Sequence, residues 1–168
     1  KGRVFFGSLD KHLYAVNPGG ELKWKTRLDG PIYASPAVSA GAVIVGSDGG
    51  TLYNLEAATG KITWQLRPGA CGASGEAKLR GFGPERTRCH LDGSPLVARD
   101  GTIYLASNAL YAVTPGGKTR WSFDLAGHAF SSVTLAPAGD RLVVGTQRGG
   151  LYGVNISGKQ LWRIKAKW

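Results

Sequence analysis

The stretch "LYAVNPGGELKW", Leu13–Trp24, returns three times along the chain: as "LYNLEAATGKITW" from Leu52, "LYAVTPGGKTRW" from Leu110 and "LYGVNISGKQLW" from Leu151. Each copy opens on a Leu-Tyr pair and closes on a tryptophan, Trp24, Trp64, Trp121 or Trp162. A glycine stands four residues before each of these: Gly20, Gly60, Gly117 and Gly158. A tight turn at that point calls for positive φ, which a residue without Cβ adopts freely, so each copy reads as strand, turn, strand. The tryptophans lie 40, 57 and 41 residues apart, the period of one supersecondary unit copied along the chain.

Working outward, a second apolar run precedes each Leu-Tyr pair: "VFFGS" at Val4, "VIVGS" at Val43, "IYLAS" at Ile103 and "LVVGT" at Leu142. Earlier still come "YASPAV" at Tyr33, "GSPLV" at Gly93 and "SSVTL" at Ser131. Each unit therefore has four short strands, a to d in chain order, with strand b expected near 3–7, 42–46, 102–106 and 141–145. The 26 glycines and the absence of any sustained 3.6-residue period fit an all-β class. Four short antiparallel strands repeated about every 40 residues are the pattern of β-propeller blades. At 168 residues and 42% hydrophobic content, with no apolar run near 18 residues, the chain has enough material for one core and no membrane span. It opens on Lys1 and contains no methionine, and no targeting segment is visible, which predicts a processed form or an excised piece.

The segment "GSDGGTLYNLEAATGKITW", Gly46–Trp64, resembles the tryptophan-docking repeat of the pyrroloquinoline-quinone-type β-propellers. That family includes quinoprotein alcohol dehydrogenases and the non-enzymatic propeller lipoprotein of the outer-membrane β-barrel assembly machinery. The likeness covers nearly the whole chain except roughly residues 68 to 92. It implies that Trp24, Trp64, Trp121 and Trp162 sit on the outermost strand of each blade and pack between neighbouring blades. The competing reading, a stacking platform for sugars or bases, fits less well because the tryptophans follow the strand register. Repetition of this kind speaks for the scaffold rather than for an activity.

The repeats divide the chain into blade one at 1–29, blade two at 30–67, an insertion at 68–92, blade three at 93–125 and blade four at 126–168. Blade one begins directly at strand b and has no residues for its inner strand a. The C-terminal "WRIKAKW" continues strand d of blade four and does not supply it. Members of the resembled family usually close with seven or eight blades. The expectation is therefore an arc of a larger ring, completed by further blades of the same chain or by a second copy, since a lone arc exposes a strand edge and two apolar faces.

The insertion "RPGACGASGEAKLRGFGPERTRCHLDGSP", from Arg67, replaces connectors as short as "LDGPI" and "LAGHA". It holds both cysteines, Cys71 and Cys89. In a secreted domain such a pair reads as a disulfide, worth about 3 kcal/mol for a loop of this size. Two reduced cysteines are the alternative, and zinc on Cys89 with the adjacent His90 is a third reading without C-x-x-C spacing to support it. Closed in this way, the segment from Arg67 to Asp92 is expected to form a flap over the channel mouth, its "GFGP" turn burying Phe82 and its Arg80, Arg86, Arg88 and His90 presented beside His128; the alternative is a plug between blades two and three, its arginines paired to Glu76, Glu85 and Asp92.

In a propeller the d-to-a connectors and the b-to-c turns share one face. Lys11, His12, Asp48, Arg67, Arg80, Glu85, Arg86, Arg88, His90, Asp92, His128 and Arg148 all fall in such loops. The candidate binding set is Lys11, His12, Arg67, Arg80, Arg86, Arg88, His90, His128 and Arg148, and the net charge of +10 suits an anionic partner, a protein surface or an acidic polysaccharide. Specific nucleic-acid binding is not expected, because the basic residues are dispersed and no exposed aromatic stripe accompanies them. A quinone-dependent dehydrogenase would need a carboxylate base and calcium ligands around the cofactor, and Asp10, Asp48 and Asn108 are scattered, so neither cofactor nor metal nor catalytic residue is expected. The leading expectation is a non-enzymatic binding scaffold of the bacterial envelope, periplasmic or extracellular. A sensor ectodomain of a larger receptor is the alternative.

Overall fold

A computed structural model describes residues 2–68 and 90–165. Four antiparallel sheets follow one another along the chain. The first has three strands, β1 (Val4–Gly7), β2 (His12–Val16) and β3 (Leu22–Arg27). The second is β4 (Ala37–Ser39), β5 (Ala42–Gly46), β6 (Leu52–Glu56) and β7 (Ile62–Leu66). The third comprises β8 (Leu96–Val97), β9 (Ile103–Ala106), β10 (Ala109–Val113) and β11 (Thr119–Asp124). The fourth comprises β12 (Thr134–Leu135), β13 (Arg141–Gly145), β14 (Gly150–Asn155) and β15 (Gln160–Lys165). Within each sheet the strands pair in sequence order. The chain is thus an arc of propeller blades, all-β, with the first blade lacking its inner strand as the sequence predicts. No described helix is long and apolar enough to cross a membrane.

The four b strands fall where the repeats place them. The inner strands are shorter than the motifs that announce them: β4 starts at Ala37 rather than Tyr33, and β8 at Leu96 rather than Gly93. Pro36 and Pro95 stand just before these starts and bring no N–H to a ladder.

Burial explains why one blade cannot stand alone. Along β5 and β6 the side chains divide between two cores. Val43, Val45, Tyr53 and Leu55 meet Leu13, Leu28 and Ile32 from the blade-one side. Ile44 and Leu52 face the other way, toward Leu91, Ile103, Leu105, Tyr111 and Val113. A third core joins blades three and four through Leu110, Ala112, Leu125, Leu142, Val144, Tyr152 and Val154. The central strands β9 and β10 are buried along their whole length. At the two ends of the arc apolar side chains remain exposed, Val4 and Phe6 on blade one and the paired Leu151 and Ile164 on blade four.

Each c–d hairpin carries a bulge at the same place, after Ala15, Asn54, Ala112 and Gly153, and these are the residues that pair with Trp24, Trp64, Trp121 and Trp162. A bulge sharpens the local twist of the outer strand. The indole then reaches the next blade. Nε1 of Trp24 donates to the Ala57 carbonyl at 3.1 Å, Trp64 to Pro115 at 2.8 Å and Trp121 to Ile156 at 3.0 Å. The turn glycine of that next blade lies under the ring: a Cβ built on Gly117 would stand 2.7 Å from Trp64 Cδ2.

This geometry separates two costs at equivalent glycines. Gly20 (φ 84°) and Gly117 (φ 78°) share the left-handed conformation, but a Cβ on Gly20 meets nothing within 4 Å. Gly20→Ala should lose about 1 kcal/mol from backbone strain alone. Gly117→Ala should lose distinctly more because it also displaces an indole, and Trp64→Ala about 3 kcal/mol as a truncated inter-blade aromatic. Urea titration of the three variants checks the order.

Candidate functional site

The connectors that leave strand d pack against the b–c turn of the blade they come from. The N–H groups of Ile32, Leu91 and Ala129 donate to the carbonyls of Ser8, Ser47 and Ser107 at 3.1, 3.4 and 2.7 Å. In this register His90 and His128 occupy the same position in successive connectors, the one Pro31 fills in the first. The next blade's turn closes on the connector from the other side. The Asp48 N–H donates to the Pro31 carbonyl at 2.8 Å and the Gln147 N–H to the His128 carbonyl at 2.9 Å.

Four titratable side chains converge there. Asp48 comes from the b–c turn of blade two, His90 and Asp92 from the entry to blade three, and His128 from the entry to blade four. His90 Nδ1 lies directly against Asp48 Oδ1 and 3.8 Å from Asp92 Oδ2. His128 Nε2 lies 3.9 Å from the same Asp92 oxygen, and the two imidazoles meet edge to face with centroids 6.1 Å apart. The side chains of His90 and His128 are only 6% and 7% exposed, those of Asp48 and Asp92 18% and 15%. Among the described residues no hydrogen bond reaches Asp48 Oδ1, either ring nitrogen of His90, or His128 Nε2. Burial pushes the His90 imidazole below its ordinary pKa. Burial, and then the neighbouring His90, pushes His128 down to about 4. At neutral pH both rings are uncharged, with lone pairs available for a donor or a cation.

His90 and His128 lie side by side, as expected, and both side chains are buried. The fold corrects the view of Asp48 as scattered, since it brings Asp48 to two histidines and a second aspartate. Asp10 and Asn108 are elsewhere: Asp10 accepts from Tyr14 Oη at 2.5 Å, and Asn108 Oδ1 accepts from Ser107 Oγ and Tyr111 Oη.

The remaining candidates spread over the same turns. Lys11 is exposed and left-handed (φ 73°), with its carbonyl accepting the Leu28 N–H at 2.8 Å. His12 is half-buried, its Nδ1 3.0 Å from the Asp10 carbonyl. Arg67 pairs with Asp29 at 3.2 Å, and that carboxylate also accepts from the Ser47 and Thr51 hydroxyls. Arg148 lays its stem along Gly127. Arg80, Arg86, Arg88, Phe82 and both cysteines, with the disulfide expected of them, lie outside the described residues.

The family model described as outer membrane protein assembly factor BamB matches residues 1–85 and 99–167. The chain belongs to this family. Among solved structures, the crystal structure of BamB from Moraxella catarrhalis superposes with a TM-score of 0.72 at 22% identity, covering 98% of this chain and 46% of that one. At that identity the superposition speaks for the fold, and this chain spans less than half the length of that BamB. No curated protein matches the chain. The BamB-family match skips 86–98, which includes His90 and Asp92, whereas Asp48 and His128 lie within the matched residues.

Sequence reasoning missed the cluster because its members are far apart along the chain. The available signal was positional: once the connectors are aligned on strand a, His90 and His128 fall in one column. The burial of neutral His128 makes stability depend on pH. An imidazole that titrates near 6.5 when unfolded but near 4 when folded takes up its proton first in the unfolded state, so stability holds above about 6.5 and falls as pH drops toward 4, by up to about 3 kcal/mol. In chelator-treated protein, His128→Gln should flatten this fall, measured as melting temperature against pH.

Proposed function

We propose that the chain is part of a non-enzymatic scaffold of the bacterial envelope that holds a protein client of outer-membrane protein assembly on its connector and turn face. The observation that carries this is the match to the assembly-factor family over residues 1–85 and 99–167. The blades supply a rigid frame and the loops of one face supply the contacts. The tryptophans serve the frame as inter-blade docking residues, a reading supported by three indole contacts with the following blade. Further blades of the same chain complete the ring and cover the apolar ends of the arc.

On that face the exposed cations are Lys11, Arg67 and Arg148, and the chain's +10 charge favours an acidic client through long-range attraction. His90 and His128 do not join this set, because they are buried and neutral. The insertion at 68–92 adds Arg80, Arg86 and Arg88 to the positive charge of the chain.

Replacing Lys11, Arg67 and Arg148 together by Ser in the full-length protein should weaken binding of a fluorescently labelled outer-membrane β-barrel precursor about tenfold at low salt. Added salt should narrow the difference. Unchanged anisotropy titrations would end the proposal, and tighter binding of an acidic polysaccharide than of the precursor would replace the client by a polymer.

A further inference from the structure

We infer that Asp48, His90, Asp92 and His128 form a buried site for a divalent transition-metal ion of zinc type, which ties blades two, three and four together beneath the basic loop face. The Asp48, His90 and Asp92 donor atoms lie within 4.8 Å of one another. His128 Nε2 stands 3.9 Å from the shared Asp92 oxygen, outside that close group of three, and closes on the ion as the fourth ligand. Donors on a tetrahedral zinc ion at 2.0–2.2 Å stand about 3.3 Å apart, so the 3.8 and 3.9 Å separations contract slightly while His90 Nδ1 and Asp48 Oδ1, which lie directly against each other, move apart to admit the ion.

The chemistry of the donors selects the ion. Two neutral imidazoles with two carboxylates suit zinc and its first-row neighbours, whereas calcium and magnesium prefer oxygen alone. Two carboxylates balance the charge of a divalent ion, so the buried assembly is neutral when filled. The independent pointer to a ligand is the set of buried ring nitrogens. Both histidines are more than nine-tenths buried, and no hydrogen bond among the described residues reaches either nitrogen of His90 or Nε2 of His128. A buried ring nitrogen that no hydrogen bond reaches is unfavourable, a penalty that coordination removes. With four protein ligands and little solvent access the site is closed, which fits a structural ion rather than one that activates water.

The position gives the ion its consequence. It joins the b–c turn of blade two to the entries of blades three and four, across the place where the insertion departs and returns. Filling it therefore fixes the base of the insertion against three blades, independently of what the loop face binds.

The test uses the full chain after chelation and dialysis, titrated with cobalt(II) and then zinc. Cobalt should bind one to one with the visible absorption of a tetrahedral nitrogen and oxygen site and no thiolate charge-transfer band. Zinc should displace it and raise the melting temperature. Asp48→Asn and His90→Gln should each lower affinity by more than the ~10–100-fold that loss of an outer-shell partner costs, and His128→Gln should lower it and disturb the cobalt spectrum. Circular dichroism confirms that the variants keep their strands. Replacing Cys71 and Cys89 by Ser should leave binding intact. Binding that survives Asp48→Asn and His90→Gln, or that disappears with the cysteines, overturns the assignment, as does an octahedral cobalt spectrum.

Discussion

Successive blades bury apolar side chains against one another, and at each of the three described junctions an indole of one blade also lies over the backbone turn of the next. The tryptophan cannot reach its neighbour unless the outer hairpin is bulged, and the neighbour cannot receive it unless the turn residue lacks a Cβ. Hydrophobic burial supplies the drive and is non-directional. The indole N–H to carbonyl bond at 2.8–3.1 Å supplies direction, locking one blade's rotation against the next. Three such contacts in series turn independent meanders into one curved array.

That locking reaches the functional face through the connectors. Because each blade is a copy, each connector meets the preceding b–c turn in the same way, and residues at equivalent positions end on one side of the arc. His90 and His128 are neighbours for this reason, although 38 positions separate them in the chain. The turn of blade two brings Asp48 to the same spot from a third unit. Convergence of side chains from several blades at one end is a general consequence of the architecture, and it allows a family defined by its scaffold to carry different sites. Here two members of the cluster, His90 and Asp92, fall in the stretch 86–98 that the BamB-family match skips, and the other two, Asp48 and His128, lie within the matched residues.

The electrostatics of the face divide into two layers. Exposed Lys11, Arg67 and Arg148 sit outside, with Arg67 partly neutralised by Asp29. Inside, desolvation lowers the pKa of both histidines and favours their uncharged form. The outer layer acts at long range and weakens with salt. The inner layer acts only on what is bound within it.

The sequence by itself determined the blades: a period near 40 residues, a glycine and a tryptophan at fixed spacing, and alternating apolar strands admit one architecture, and the four b strands lie where that pattern places them. It also determined the missing inner strand, because an absent motif is as legible as a present one. It misjudged the starts of the inner strands, where proline overrides the apolar pattern. Only the tertiary structure decided the site. Charge and residue type along the chain place His90 and His128 in loops, where imidazoles are ordinarily solvated, and show Asp48 as one turn aspartate among several. Whether such groups are exposed and charged or buried and neutral depends on what the next blade places over them, a long-range property that no local spacing encodes.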